Sequence, residues 1–373
     1  MQNSKKERGV NMKKVGIITI NDFDNYGNRL QCYAVQNYLQ KYDLDVENIY
    51  NSGKSLNKLI LFKLKKYAKF ILKHNNERYI LKRNSKFKKF NKCIKFSKFK
   101  IINGKENNNI NDKYDYFIVG SDQVWNPNFK ANSKADFLYF AEDKKKIAFS
   151  ASFGISKLPE EKKADFKKYL SEFKAISVRE DAGKKIIEDL TGRKDIEVLI
   201  DPTMLLKSDE WDKVNSRPKQ LDQLKNKQYI LNYFLGEIEK EWKEEIDRIA
   251  IENNCEVINL LDKKNPFYQT GPSEFLYLEK NAFLVCTDSF HSSVFSIIYN
   301  RPFIVFNRTG KDEKKKMNSR IDTLLSKFNL QKRRFEGKIT EENLKHDYTE
   351  AYKILENEKQ KSMTFLKKAL DIK

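Results

Sequence analysis

The stretch "AFLVCTDSFHSSVFSIIYNRPFIVF" (residues 282–306) reads as a complete strand–helix–strand unit. "AFLVCTD" (282–288) and "PFIVFN" (302–307) are apolar on consecutive positions, the habit of strands covered on both faces in parallel sheets. Between them, Phe290, Val294, Ile297 and Ile298 fall on one helical stripe. Asp288 or Ser289 can cap that helix, and Ser292 and Ser293 would offer free backbone amides in its first turn, where an anion is welcome. His291 sits beside them, one of three histidines with His74 and His346. A helix N-terminus disfavours imidazolium, so this histidine should be largely neutral near pH 7. Next to a phosphate it could accept a proton and return it. The plainer alternative is a structural histidine.

Outward from this unit the same grammar repeats. Strand candidates are residues 13–20, 114–120, 145–153 and 173–179, followed by 196–201, 228–235 and 255–261 ahead of the two already named. Helical patterns fall between them, one over residues 28–40 with Leu30, Ala34 and Tyr38 on a stripe. Two successive sets of βα units predict an α/β protein of two doubly wound, Rossmann-like domains joined near residues 180–195. The expected layout is a leader at 1–11, a first domain at 12–185, a second at 186–340 and a C-terminal helix at 341–373. Residues 1–11 look like a disordered leader, with Met12 as an alternative start.

The chain of 373 residues carries 73 Lys and Arg against 52 Asp and Glu, a formal charge of +21. Between Lys54 and Lys100 there are 17 basic residues and a single acid, Glu77, so this segment holds a surplus of 17 − 1 = 16. Leu, Ile, Phe and Tyr interleave the charges, which predicts a basic amphipathic helical insertion over 54–100. Such a surplus suggests an anionic partner: nucleic acid, an acidic membrane surface or a phosphorylated small molecule. No helix-turn-helix or RNA-binding signature accompanies it, so nucleic acid is disfavoured. The four cysteines (Cys32, Cys93, Cys255, Cys286) are scattered, without metal-finger spacing or a disulfide framework, as a reduced cytoplasmic compartment would have it. No uncharged run reaches transmembrane length.

Three further stretches could carry chemistry. "NDFDNYGNRLQCYAVQNYL" follows the first strand, and Gly27 lies in a polar loop leading into a helix, where open α/β sheets bind ligands. It lacks the dinucleotide spacing, and a simple βα turn would also need one glycine. "IVGSDQVWNP" (118–127) gathers Ser121, Asp122, Trp125 and Asn126 at a strand end, a set that suits a carbohydrate, whose C–H face stacks on a ring. A turn with a core tryptophan is the alternative. Arg179, closing the strand of "AISVRED", would project toward a crevice and could clamp a carboxylate or phosphate, or else pair with Glu180 or Asp181.

Together "NDFDNYGNRLQCYAVQNYL", "YDYFIVGSDQVWNP", "KKIAFSASFG", "FKAISVRED", "LIDPTMLL", "GPSEFLYLEKNAFLVCTDSFHSSVFSIIYNRPFIVF" and "NSRIDTLL" resemble, in order and spacing, the polysaccharide pyruvyl transferase family from about Met12 to about Arg334. The resemblance implies a GT-B-like fold with its active site between two domains, phosphoenolpyruvate as donor and co-substrate without a further cofactor, and a sugar acceptor that receives a pyruvate ketal. It makes Arg179 the donor anchor and His291 the acid/base, with Ser292 and Ser293 offering amides to the phosphate and Arg320 a further donor contact. Asn25, Tyr26, Gly27, Ser121 and Asp122 would face the acceptor, with Trp125 in the same group. Characterised members commonly carry an arginine two residues before this histidine, where this chain has Ser289; the phosphate would then fall to Arg308 or Arg320 with Ser289 among its contacts, or the donor would differ. A lipid-linked acceptor would bring the 54–100 segment against anionic lipid at the inner face of the membrane. The competing readings are a nucleotide-sugar glycosyltransferase on the same architecture and, less favoured, a nucleic-acid-binding protein.

Overall fold

A computed structural model describes residues 12–20, 24–52, 77–102, 105–106, 109–129, 133–309 and 318–373. The expected leader and residues 54–76 of the basic segment lie outside the described residues.

Two sheets organise the molecule. The first contains β1 (Lys14–Ile18), β2 (Asp45–Ser52), β3 (Phe96–Ile102), β4 (Lys105–Glu106), β5 (Tyr116–Val119), β6 (Lys146–Ala151), β7 (Ala175–Val178) and β8 (Glu197–Val198). Their spatial order is β4-β3-β2-β1-β5-β6-β7-β8, parallel except for β4 at the edge. The second contains β9 (Tyr229–Tyr233), β10 (Glu256–Asn259), β11 (Leu284–Thr287) and β12 (Phe303–Val305), all parallel, in the order β10-β9-β11-β12. Both are doubly wound: the chain leaves β1 in one direction and returns to β5 on its other side, and β9 is flanked in the same way by β10 and β11. This is the two-unit α/β arrangement that the strand pattern predicts.

The seam belongs to both units. The first helix, α1 (Tyr26–Gln40), buries nearly every residue, and one apolar cluster runs from Val15 and Leu30 through Leu199 and Trp211 to Val294 and Phe295. Trp211 is the hinge of that packing, touching Tyr33 at 5.5 Å and Phe295 at 5.1 Å between ring centroids. The far faces of the two sheets carry their own separate clusters.

Helix α2 (Glu77–Phe90) ties the first unit to the second. Arg83, buried on α2, lies over the Tyr26 ring at 4.3 Å and donates to the carbonyl of Thr270 at 3.2 Å and that of Asp24 at 3.1 Å. Its guanidinium also reaches the Tyr26 hydroxyl. Lys86 pairs at 2.7 Å with Glu274, in the first turn of α3 (Pro272–Asn281). Helix α4 (Phe290–Ile298) carries His291, and α5 (Asn318–Lys327) carries Arg320. The closing helix, α6 (Thr349–Ala369), starts on the second unit, where Tyr352 donates to the Ile297 carbonyl at 2.9 Å. It ends on the first, where Tyr116 and Lys174 each reach the Asp371 carboxylate at 2.6 Å.

Two expectations need correction. Residues 54–100 are not one helical insertion: after α2 the chain enters β3, a member of the first sheet beside β2. Strand "IEVLID" does not open the second domain, because β8 pairs with β7. The first sheet therefore continues past residue 185.

Candidate active site

Open α/β sheets bind ligands beyond the carboxyl ends of their strands, where the strand order reverses. Here both reversal points face each other. Gly27 and Asn28 follow β1, Ser121 and Asp122 follow β5, and Asp288 to His291 follow β11. The approach is so close that a Cβ on Gly27 would overlap the imidazole of His291. Only glycine fits there.

Around that contact five ionisable side chains from five loops and helices converge. Arg179, directly after β7, donates to Asp201 at 2.5 Å and to Asp122 at 3.2 Å, and its guanidinium lies over the Phe290 ring at 4.4 Å. Arg320 approaches Asp122 at 3.5 Å and the same ring at 5.6 Å. Asp201 caps the short turn at Pro202–Leu205, accepting from the Thr203 amide at 3.0 Å and hydroxyl at 2.6 Å. It also accepts from the Ser121 hydroxyl at 2.9 Å. Nε2 of His291 stands 3.7 Å from Asp201 Oδ2, too far for a hydrogen bond, and finds no hydrogen-bond partner among the described residues. All five are buried, with His291 7% exposed and Arg179 3%.

Charges this dry shift one another's proton affinities. Burial is the largest influence on His291 and lowers its pKa; Asp201 and Asp122 pull upward without reversing that, while Arg179 and Arg320 add to it. The ring is neutral at physiological pH. For Asp201 burial works upward, yet Arg179, then His291 and the Thr203 bonds outweigh it and hold the carboxyl at about 2. Asp122 is likewise held below its ordinary value: burial raises it, and Arg179, His291 and Arg320 more than offset that. Burial, then the neighbouring Arg179, brings Arg320 down to about 10, still protonated at neutral pH.

The sequence-derived positions divide clearly. Arg179, His291, Arg320, Gly27, Ser121 and Asp122 meet in this cluster. Asp122 faces the arginines rather than open cleft, with Asn28 donating to it. Trp125 is a core residue: fully buried, it stacks on Phe137 at 5.9 Å and donates to the Asp136 carbonyl, so its ring is turned away from any sugar. Tyr26 is also fully buried, stacked on Phe275 at 4.6 Å with its hydroxyl on the Thr270 carbonyl, and belongs to the seam. Asn25 caps α1 by accepting from the Asn28 amide.

At the start of α4 the expected capping differs. Ser289 occupies the cap position without a side-chain cap bond, and Asp288 instead accepts from the Leu235 and Gly236 amides and from Arg308 at 3.1 Å. Arg308 is thereby engaged. The Ser293 amide is not free, since it donates to the Ser289 carbonyl, as does its hydroxyl. Ser292 turns its hydroxyl into the core, onto Glu279 at 2.5 Å. Arg179 ignores the neighbouring Asp181 in favour of Asp201 and Asp122.

Sequence reasoning overlooked Asp201, Asn28 and Phe290 as members of the site. "LIDPTMLL" contained the signal, an aspartate closing a strand, but Asp-Pro reads equally well as a cap with proline at the first helical position.

Among solved structures the chain is similar to the UDP-GlcNAc 2-epimerase from Neisseria meningitidis bound to UDP-GlcNAc, with 14% identity, 96% of this chain and 100% of that chain covered, and a TM-score of 0.47. The UDP-GlcNAc 2-epimerase from Methanocaldococcus jannaschii in complex with UDP-GlcNAc and UDP gives 14% identity over 93% of this chain and 99% of that one, with a TM-score of 0.45. No curated protein matches the chain. The family model described as polysaccharide pyruvyl transferase matches residues 25–310, which take in Gly27, Asp122, Arg179, Asp201 and His291 and leave only Arg320 of the cluster outside. That match spans well over half of the sequence, and the chain belongs to the polysaccharide pyruvyl transferase family.

Proposed function

We propose that the chain transfers the three-carbon unit of phosphoenolpyruvate to two hydroxyls of one sugar in a surface-polysaccharide intermediate, releasing phosphate and leaving a pyruvate ketal. Family membership supports the reading. One observation carries it: two guanidiniums and an imidazole meet in a buried cluster at the facing carboxyl ends of both sheets.

Arg179 takes the donor's carboxylate or phosphate through its planar fork, exchanging Asp122 for the ligand, and Arg320 provides a second contact. Low local dielectric strengthens both interactions. The donor's negative charge beside His291 raises the ring's proton affinity, and the imidazolium then protonates the methylene carbon. A sugar hydroxyl attacks the adjacent carbon, the C–O bond to phosphate breaks, and a second hydroxyl closes the ketal. The two hydroxyl protons balance the one spent on the new methyl group and the one carried off by the hydrogen phosphate. Asn25, which is only partly buried, is the first-loop residue left to meet the acceptor.

The acceptor is a lipid-linked intermediate at the cytoplasmic face of the cell membrane. Lys82, Lys88, Lys89 and Lys92, all exposed around the end of α2, support contact with anionic lipid, each worth on the order of 1 kcal/mol near such a surface. No described helix is long and apolar enough to cross a membrane.

The test is transfer itself. Incubation with phosphoenolpyruvate and a panel of soluble and lipid-linked glycans should release phosphate in step with a ketal on the acceptor. Glycosyl transfer from a nucleotide sugar, with phosphoenolpyruvate untouched, would replace this reading with its competitor.

A further inference from the structure

Asp201 touches more of the cluster than any ligand-facing group needs to. Its Oδ1 is committed to Thr203, through amide and hydroxyl, which fixes the carboxylate plane. Its Oδ2 accepts from Arg179 and from Ser121 and is also the oxygen facing His291 Nε2. The carboxylate is wholly buried, and His291 reaches it from the opposite unit. One oxygen therefore holds Arg179 from one sheet and faces Nε2 of His291 from the other.

We propose that Asp201 is the positioning residue of this site: it aims Arg179 and pairs with His291 once the ring takes up its proton. The inference rests on the reading of His291 as the acid/base. In the resting state the neutral ring stops short of hydrogen-bond distance. On protonation, Nε2 carries an N–H and a charge, Asp201 is the nearest carboxylate oxygen on the described residues facing it, and a small closure completes the bond. The ring is otherwise faced by Asp122 from the β5 loop, by Arg179 after β7, by Arg320 from α5 and by the backbone of Gly27 from α1. Asp201 differs from Asp122 in being tied down on three sides by the first unit, so it holds its place while a donor displaces Asp122 from the arginines.

With only three histidines, the imidazole signals of the intact protein can be followed one by one by NMR, and His291→Gln identifies the relevant set. Asp201→Asn keeps the shape and the acceptor oxygen toward Thr203 while removing the charge. The His291 midpoint should fall by about one unit or more in Asp201→Asn, since an opposite charge at this range shifts a pKa by that much. The alkaline limb of the kcat profile, set by loss of the imidazolium, should move in the same direction, with kcat changed more than KM. An unmoved His291 midpoint in a folded Asp201→Asn protein would overturn the proposal, leaving Asp201 a turn cap. Should that variant fail to fold, the wild-type protein decides: below the midpoint the Nε2 proton should be shifted downfield and protected from exchange, and a rapidly exchanging proton would overturn the pairing. Neither titration uses donor, so a failure of phosphoenolpyruvate to bind would refute the transferase reading without touching this result.

Discussion

Gly27 and His291 lie at opposite ends of the family match, yet the glycine leaves room for nothing but hydrogen against the imidazole. Gly27→Ala should accordingly help the helix by up to about 1 kcal/mol in propensity while displacing the ring. The expected outcome is near-normal folding with turnover reduced at least as much as binding, measured as kcat and KM beside a denaturant titration. His291→Ala should fold normally and lose roughly two or more orders of magnitude in turnover. Because burial lowers the His291 pKa and the imidazolium is the proton donor, the alkaline limb of kcat/KM in the wild type should fall below the ordinary histidine value. A different buried group sets a stability test. Burial pushes Glu279 up to about 8, against hydrogen bonds from Ser292 and Ser296 that work the other way. The folded state then keeps a proton that the unfolded chain releases above its ordinary glutamate value, so stability falls as pH rises through that window. Glu279→Gln should gain on the wild type from about pH 5 to about pH 8, by on the order of 4 kcal/mol in chemical denaturation. At this scale, strand ends and helix starts made Arg179 and His291 legible. Trp125 misled because a sequence does not say which way a ring turns, and in this case it turns into the core.

The elements divide along the same physical line. Strands with consecutive apolar residues, such as "AFLVCTD" and "QYILNYFL", announce themselves, and all nine expected strands are present. β2, "DVENIYNS", was overlooked because Glu47, Asn48 and Asn51 dilute its pattern; Asn48 and Asn51 are buried by hydrogen bonds, with Asn48 donating to Gln36 and Asn51 to Asp136. β3, "FSKFKII", lies inside the basic run, where alternating Lys and Phe near a sheet edge mimics an amphipathic helical stripe. α2 sorts the segment by face: Phe87 and Phe90 are buried together with Arg83, while Lys82, Lys88 and Lys89 are exposed. Arg83→Met should cost roughly 2 kcal/mol or more, through the lost cation–π contact and hydrogen bonds to Tyr26, Thr270 and Asp24. Hydrogen exchange should quicken in α2 and in residues 266–281 together. Faster exchange in α2 alone would show that the two units are held by other contacts.

At the scale of the whole molecule, two doubly wound sheets place their reversal points face to face, and the candidate site lies where they meet. Topology of this kind follows from strand character and order, which is why the architecture was legible although the unit boundary was not: β8 is only two residues long, and nothing in its composition says which sheet it joins. The charge is uneven on this scale too, most of the +21 lying between Lys54 and Lys100. Binding to vesicles rich in anionic lipid should weaken steeply with salt and more so with Lys82, Lys88 and Lys89 replaced by glutamate, in a flotation assay. The central claim, that the buried cluster is a donor site built on Arg179, is tested most directly by calorimetric titration with phosphoenolpyruvate. Saturable binding that disappears in a folded Arg179→Ala protein is the predicted result. Binding unaffected by that substitution, or no binding beside a nucleotide sugar that does bind, would contradict it.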